Sequence, residues 1–381
     1  MSRIIMENSV NQEYLLDVLQ RLLEIPSPSG MTDDIVRCVC NELDALEVPY
    51  ELTRRGAIRA TLKGVNHKPR RAVVTHLDTL GGMVKSLKRN GRLSLVPIGT
   101  WSSRFAEGAR VRIHSDGNKT TTGTILPLKA SGHTYNEEVD SQPVGWENLE
   151  VRLDEPGSSI DGLWEKGIRV GDYISFYPQV ELCKSGYVNS RFLDDKAGVA
   201  TILAAVHAMK YNNVKPSLNS SLLFTISEEI GVGASHVLRG NVAEMVSVDN
   251  GTIAPGQNTS EFGVTVAMMD SSGPYDIHLT RHLIDICMQE GIEFSRDVFL
   301  HYRSDAAAAL EAGNDIRTAL ICFGLDASHG YERTHIVSLA SVANLVVEYL
   351  KSPPLFEDDM NVIGLEKKYP RIKTSSELKP V

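Results

Sequence analysis

Glu228 and Glu229 sit side by side in TISEEIGVG, directly after an apolar run, Leu222 to Ile226, that reads as a buried strand. Adjacent strand side chains point to opposite faces, and two anions at the mouth of an apolar strand repel each other. A bound dication removes that conflict if one carboxylate ligates it. Its neighbour is then free beside an activated water, able to take a proton and pass it to a leaving amine. Groups of the same chemistry end other apolar runs: His76 and Asp78 in VVTHLD, Asp194 and Asp195 in FLDDK, Asp249 in SVDNG, and His329 and His335 in ASHGYERTH. Histidines mixed with carboxylates do not suit a closed structural zinc site, which favours thiolates. They suit a catalytic site of N and O ligands with an open position. Two cations about 3.5–4 Å apart need one bridging carboxylate plus terminal ligands for each, and this set supplies the count. Asp78, two residues beyond His76 on the same strand face, is placed to accept the imidazole's other N–H.

Taken singly, each residue has a plainer explanation. A histidine ending a strand is more often hydrogen-bonded packing than a ligand. The Asp194–Asp195 pair before a helix resembles an N-cap, the glutamate pair a solvated edge, and Asp249 before Asn-Gly a turn. These explanations do not account for all five groups falling at strand exits, where open α/β sheets form their sites. Other motifs carry less. GVGASH lacks the third glycine of a dinucleotide loop and follows two acids, and no Walker, G-x-S-x-G or H-E-x-x-H pattern occurs. His301 and Asp305 follow another strand, where lining of the pocket is one reading and capping of the Ala-rich helix by Ser304 or Asp305 the favoured one. His114 and His133 have surface roles by default.

The elements that must position these groups follow from periodicity. NQEYLLDVLQRLLEI and MTDDIVRCVCNELDAL are amphipathic helices, separated by PSPSG. A strand pair, GAIRATLKG and RRAVVTHLD, comes next. Between about Gly81 and Tyr187 short alternating strands with turn punctuation predict a small β-barrel or sandwich. After Asn189 helices and Val/Ile/Leu-rich strands alternate again, which predicts an α/β sheet covered on both faces. The expected architecture is a discontinuous α/β catalytic domain, residues 1–80 and 188–352, with a β-barrel domain inserted at 81–187 and a polar tail over 353–381.

The chain's 381 residues, 42% hydrophobic, bury a large core, and its net charge of −9 argues against nucleic-acid or anionic-membrane partners. No basic stripe is visible along the sequence. The N-terminus lacks a signal-peptide core, no window approaches a membrane span, and five scattered cysteines suit a reducing cytoplasm.

The ordered pattern H-x-D, D-D-K-x-G, E-E-x-G, D and H resembles the cytosolic co-catalytic dizinc aminopeptidases of the glutamyl-aminopeptidase type, also called tetrahedral aminopeptidases, over roughly residues 10 to 350. The resemblance implies an α/β aminopeptidase fold with an inserted β-barrel. It implies two divalent ions, zinc with cobalt or manganese able to substitute. His76, Asp194 (bridging), Glu229, Asp249 and His335 would be the ligands, His335 being preferred to His329, which is left to contact substrate. Glu228 would be the general base, Asp78 would orient His76, and Asp194–Asp195 would be a cis peptide. A homo-oligomer, by resemblance a dodecamer, is also implied. The phrases THLDTLGGMVK, FAEGARV and ILPLKASGHTYNEEVD are similar to a bacterial branch associated with an N-acetylglutaminylglutamine amide osmolyte system, a resemblance that implies a small modified dipeptide as an alternative substrate. The expected activity is removal of N-terminal residues from short peptides, or hydrolysis of such a dipeptide, through a metal-bridging hydroxide and Glu228. The competing readings are a related dizinc N-deacylase or carboxypeptidase, and a non-catalytic binding or assembly homologue.

Overall fold

The structure is a computed structural model that describes residues 10–156 and 159–356; the expected tail beyond 356 lies outside the described residues. The first helix, Gln12–Leu23, is capped by Asn11, whose side chain accepts from the N–H groups of Glu13 and Tyr14. It buries Leu15, Val18, Leu19, Leu22 and Leu23, the three- and four-residue spacing of one helical face. That face packs on a longer helix, Leu193–Tyr211, which is buried on nearly all sides and packs in turn on Ile336–Lys351.

Beneath these helices runs a 12-stranded sheet, as counted among the described residues. Four central strands, in the order Leu218–Thr225, Asn66–His76, Val242–Ile253 and Arg317–Asp326, are mutually parallel. Their carboxyl ends therefore open on one edge, where His76, the Glu228–Glu229 pair and His329 lie at or just beyond a strand end and Asp249 lies toward the end of its strand. The strand pair expected near the N-terminus is not adjacent. Leu218–Thr225 lies between Ile58–Leu62, to which it is antiparallel, and Asn66–His76. Gly64 permits this insertion: a Cβ there would lie 2.1 Å from the carbonyl carbon of Leu218. Its N–H donates to Asn219 Oδ1 at 2.9 Å.

Six strands form a closed barrel, in the order Gly81–Leu87, Leu93–Ile98, Leu149–Leu153, Lys119–Pro127, Arg110–Ser115 and Tyr173–Phe176. All leave and rejoin the chain between the sheet strands Asn66–His76 and Tyr187–Ser190. The barrel encloses its own core, including Val84, Leu95, Val111, Ile113, Ile125 and Ile174. Alternation in RVRIHS explains this: Val111 and Ile113 point in while Arg110 and Arg112 point away. The protein is thus an α/β fold with an inserted β-barrel.

Candidate metal centre

Each central strand delivers one piece of the site. Asn66–His76 ends on His76, and two residues later comes Asp78; Leu218–Thr225 is followed by Glu228 and Glu229. Asp249 sits within Val242–Ile253, paired with Cys322 of the neighbouring strand. The Asn-Gly turn that was the plainer alternative for Asp249 does not form. Parallel pairing runs without interruption from Glu244 to Ile253, so the ladder overrides local turn preference. Asp194 and Asp195 open the helix Leu193–Tyr211, are joined by a cis peptide bond, and do not cap it through their side chains. Gly198 follows them because a Cβ there would lie 2.2 Å from Asp195 Oδ1.

These side chains converge in two groups that share Asp194. In one, ligand atoms of His76, Asp194 and Asp249 lie within 4.8 Å of one another; in the other, those of Asp194, Glu229 and His329 do. The imidazoles are presented alike. His76 Nδ1 donates to the backbone carbonyl of Asp78 at 2.9 Å, which leaves Nε2 facing Asp194 Oδ1 at 3.1 Å. His329 Nδ1 donates to the Thr100 carbonyl, from the barrel segment, at 3.0 Å, and its Nε2 faces Asp194 Oδ2 at 3.4 Å and Glu229 Oε2 at 3.7 Å. A neutral imidazole so oriented points a lone pair at a carboxylate oxygen, and only a cation or a proton between them makes that favourable.

The electrostatics carry the same demand. Burial pushes the Glu229 carboxyl up to about 8, with the Asp194 charge adding to it. Burial and the same charge raise Asp249 to about 7, and burial holds Glu228 well above its ordinary range. Burial alone would lower His329, but its hydrogen bond to Asp194 and the charges of Glu229 and Asp194 raise it to about 10. Asp194 moves the other way: hydrogen bonds from His329 and His76 outweigh burial and hold it below the usual carboxylate range. The site as built favours positive charge among these groups, whether protons or a dication. N and O donors, a shared central carboxylate and buried like charges fit two divalent cations.

Three placements differ from expectation. His335 does not join either group. Its Nε2 donates to the Ser185 carbonyl at 2.9 Å, its Nδ1 accepts from the N–H of Val337 at 3.2 Å as the cap of Ile336–Lys351, and its ring packs on Tyr187 and Phe262. His329 stands in the position foreseen for it. The observed strand ends make the placement regular: His329 lies three residues past Asp326, as Glu228 lies three past Thr225. Asp78 also behaves differently. Its backbone, not its carboxylate, takes the His76 N–H, and the carboxylate accepts instead from the backbone N–H groups of Glu228 at 3.0 Å and Glu229 at 3.3 Å. It fixes the turn that carries both glutamates. Asp305, by contrast, lies off both groups, accepting from Ala234 N–H at 2.7 Å and Thr225 Oγ1 at 2.5 Å, while Ser304 caps the helix Asp305–Glu311.

Two contributors were not anticipated. Asn250 Nδ2 donates to Asp194 Oδ2 at 2.8 Å and to Asp249 Oδ1 at 3.2 Å, tying two acids together. Glu332, buried, accepts from the backbone N–H of His329 at 2.9 Å and of Asp194 at 3.2 Å, one on each oxygen. It locks the loop Ala327–Gly330, in which His329 adopts φ +66°, against the start of the long helix. Replacing Glu332 by alanine leaves two buried donors unpaired. At about 1–3 kcal/mol for each such loss, the expected result is a clearly lowered midpoint in chemical denaturation, with glutamine rescuing part of it.

The groups open into a cavity of about 760 Å³. Trp101 and Phe105 of the barrel segment line one side, and Ile230, His301, Tyr302 and Arg303 line another.

Comparison with known proteins agrees with this architecture. The family model for M42 glutamyl aminopeptidase matches residues 56–345. The Bacillus subtilis (strain 168) protein named "Putative aminopeptidase YhfE" is 37% identical over 338 residues, 89% of this chain and 97% of the relative. Among solved structures, the aminopeptidase APDkam598 from the archaeon Desulfurococcus kamchatkensis superposes with a TM-score of 0.80 at 20% identity, over 89% of this chain and 95% of the other. The Pyrococcus horikoshii TET1 peptidase, described as assembling into a tetrahedron or a large octahedral shell, superposes with a TM-score of 0.77 at 20% identity, over 88% and 99%. A metallopeptidase family that requires divalent ions accounts for paired N and O ligand groups built around one carboxylate, and this chain belongs to it: it is a peptidase of the M42 glutamyl aminopeptidase family.

Proposed function

We propose that the protein is a cytoplasmic, dinuclear metal-dependent aminopeptidase that removes N-terminal residues from short peptides. The observation that supports this most directly is Asp194, shared between two ligand groups with a histidine turned toward each of its oxygens. His76, Asp194 and Asp249 would hold one divalent ion, and Asp194, Glu229 and His329 the other, with zinc the expected metal and cobalt or manganese able to substitute. When bound, the ions supply Lewis acidity toward the scissile carbonyl and lower the pKa of water.

The protein's own groups do the rest. Glu228, 3.8 Å from His76 Nε2 and lining the cavity, takes the proton of the attacking water and returns it to the departing amine. Asp78 holds its backbone, so the carboxylate does not drift during proton transfer. The barrel segment walls the cavity and limits water around the reacting bond. A small modified dipeptide fits this cavity as readily as the end of a short peptide. Assembly into a homo-oligomer, a dodecamer in the simplest case, is part of the same reading, supported by the TET1 likeness.

The test is a screen of the purified protein on aminoacyl amides and N-acetylated dipeptides, with and without a chelator. Free-amine substrates should be cleaved, the chelator should abolish cleavage, and added zinc, cobalt or manganese should restore it. Faster turnover of the acetylated series would reassign the protein as a deacylase.

A further inference from the structure

A second concave site lies on the same sheet, away from the carboxyl edge. In Ile58–Leu62 the alternate residues Ile58, Ala60 and Leu62 point into the core, so Arg59 and Thr61 face the other way. The ladder sets Thr61 opposite Ser221, and Arg59 opposite both Leu223 and Glu51. Ser221 in turn opposes Ala72, and Arg70, two residues earlier on that strand, shares its side. The segment Val237–Arg239 borders this face, and an open cleft of about 230 Å³ is lined by Glu51, Arg59, Arg70, Arg239, Thr61 and Ser221, with the Arg239 and Glu51 side chains exposed. Arg70 is six residues before His76 on one strand, about 20 Å away at roughly 3.3 Å per residue.

The charge in this cleft is not balanced within the protein. Three guanidiniums face one carboxylate, and Arg59 Nη1 at 3.3 Å and Arg239 Nη1 at 2.9 Å both use the same oxygen of Glu51. Arg59 is otherwise anchored to the carbonyls of Val237 at 2.6 Å and His236 at 2.7 Å. Among the described residues, the Arg70 guanidinium and the hydroxyls of Thr61 and Ser221 have no hydrogen-bond or ion-pair partner. The adjacent His236 imidazole is held below its ordinary range by burial and by the charges of Arg55 and Arg59, which registers the same positive field. Along the sequence this was invisible, because Arg59, Arg70 and Arg239 come from three separate segments of a chain whose net charge is −9.

We propose that this cleft binds a tetrahedral oxyanion of the phosphate class, carried by a small molecule. The surplus of two positive charges matches a dianion. Guanidinium forks and hydroxyl donors arriving from different strands suit a tetrahedral group; a planar carboxylate would engage a single fork.

The experiment is calorimetric titration of the metal-loaded full-length protein with inorganic phosphate at constant ionic strength, with sulfate and acetate as comparisons. Saturable phosphate binding that sulfate competes and acetate does not is the expected result. Arg70→Met and Arg239→Met should each weaken it at least tenfold and leave kcat/KM on an aminoacyl amide unchanged. Thr61→Val with Ser221→Ala removes the hydroxyls without altering charge, and should weaken binding several-fold. The absence of saturable binding, binding equal for acetate, or binding that survives the Arg70→Met, Arg239→Met double variant (and so belongs to the metal centre) would overturn the proposal.

Discussion

Glu228→Gln should leave both metal equivalents in place while turnover falls by about two to four orders of magnitude, the span typical of general acid–base catalysis. The reasoning is geometric. Glu228 belongs to neither ligand group, yet lies 3.8 Å from His76 Nε2 and lines the cavity beside both. Glutamine preserves its shape and keeps the backbone N–H that donates to Asp78, but it cannot accept and return a proton. Elemental analysis beside steady-state kinetics separates the two effects. Loss of metal would make Glu228 a ligand, and undiminished turnover would remove it from the mechanism.

His329→Ala should cost one metal equivalent, while His335→Ala should keep both. His329 Nε2 faces both Asp194 and Glu229, whereas His76 meets the shared Asp194 on its other oxygen and belongs to the other group. Losing one of three side-chain ligands leaves two carboxylates to hold the ion, and activity should fall to near background. His335 has both ring nitrogens occupied by Ser185 and Val337. Its removal deletes a helix cap, worth about 1 kcal/mol, and shows as a lower unfolding midpoint rather than as lost metal. Metal-to-protein ratios for the two variants decide the matter; depletion in His335→Ala alone would return the role to that residue.

Much of this site could be read from sequence because the chemistry sits where the fold class puts it. His76, Asp194, Glu229 and Asp249 each fall at or beside the end of an apolar run, and the sheet brings those ends together. What could not be read depended on contacts between distant segments. Choosing between His329 and His335 required knowing that residues Glu332–His335 return as a strand beside Tyr187–Ser190, which carries His335 away. Glu332 has no motif around it, and its role exists only because the loop folds back and places its two oxygens on two separate backbone donors. The Asn-Gly after Asp249 suggested a turn, and only a parallel neighbour paired through Ile253 kept the strand straight. The barrel was legible from strand spacing, but its hydrogen bond to the metal centre was not.

That bond, from an imidazole to the Thr100 carbonyl 229 positions away in the chain, bears on how far the enzyme can be pared down. A version trimmed to the sheet and its helices would keep every acid and both rings, yet one ring would be free to swivel. The excursion from the main fold therefore acts as a latch, and a trimmed enzyme without it would hold its second ion loosely however well the remainder folds.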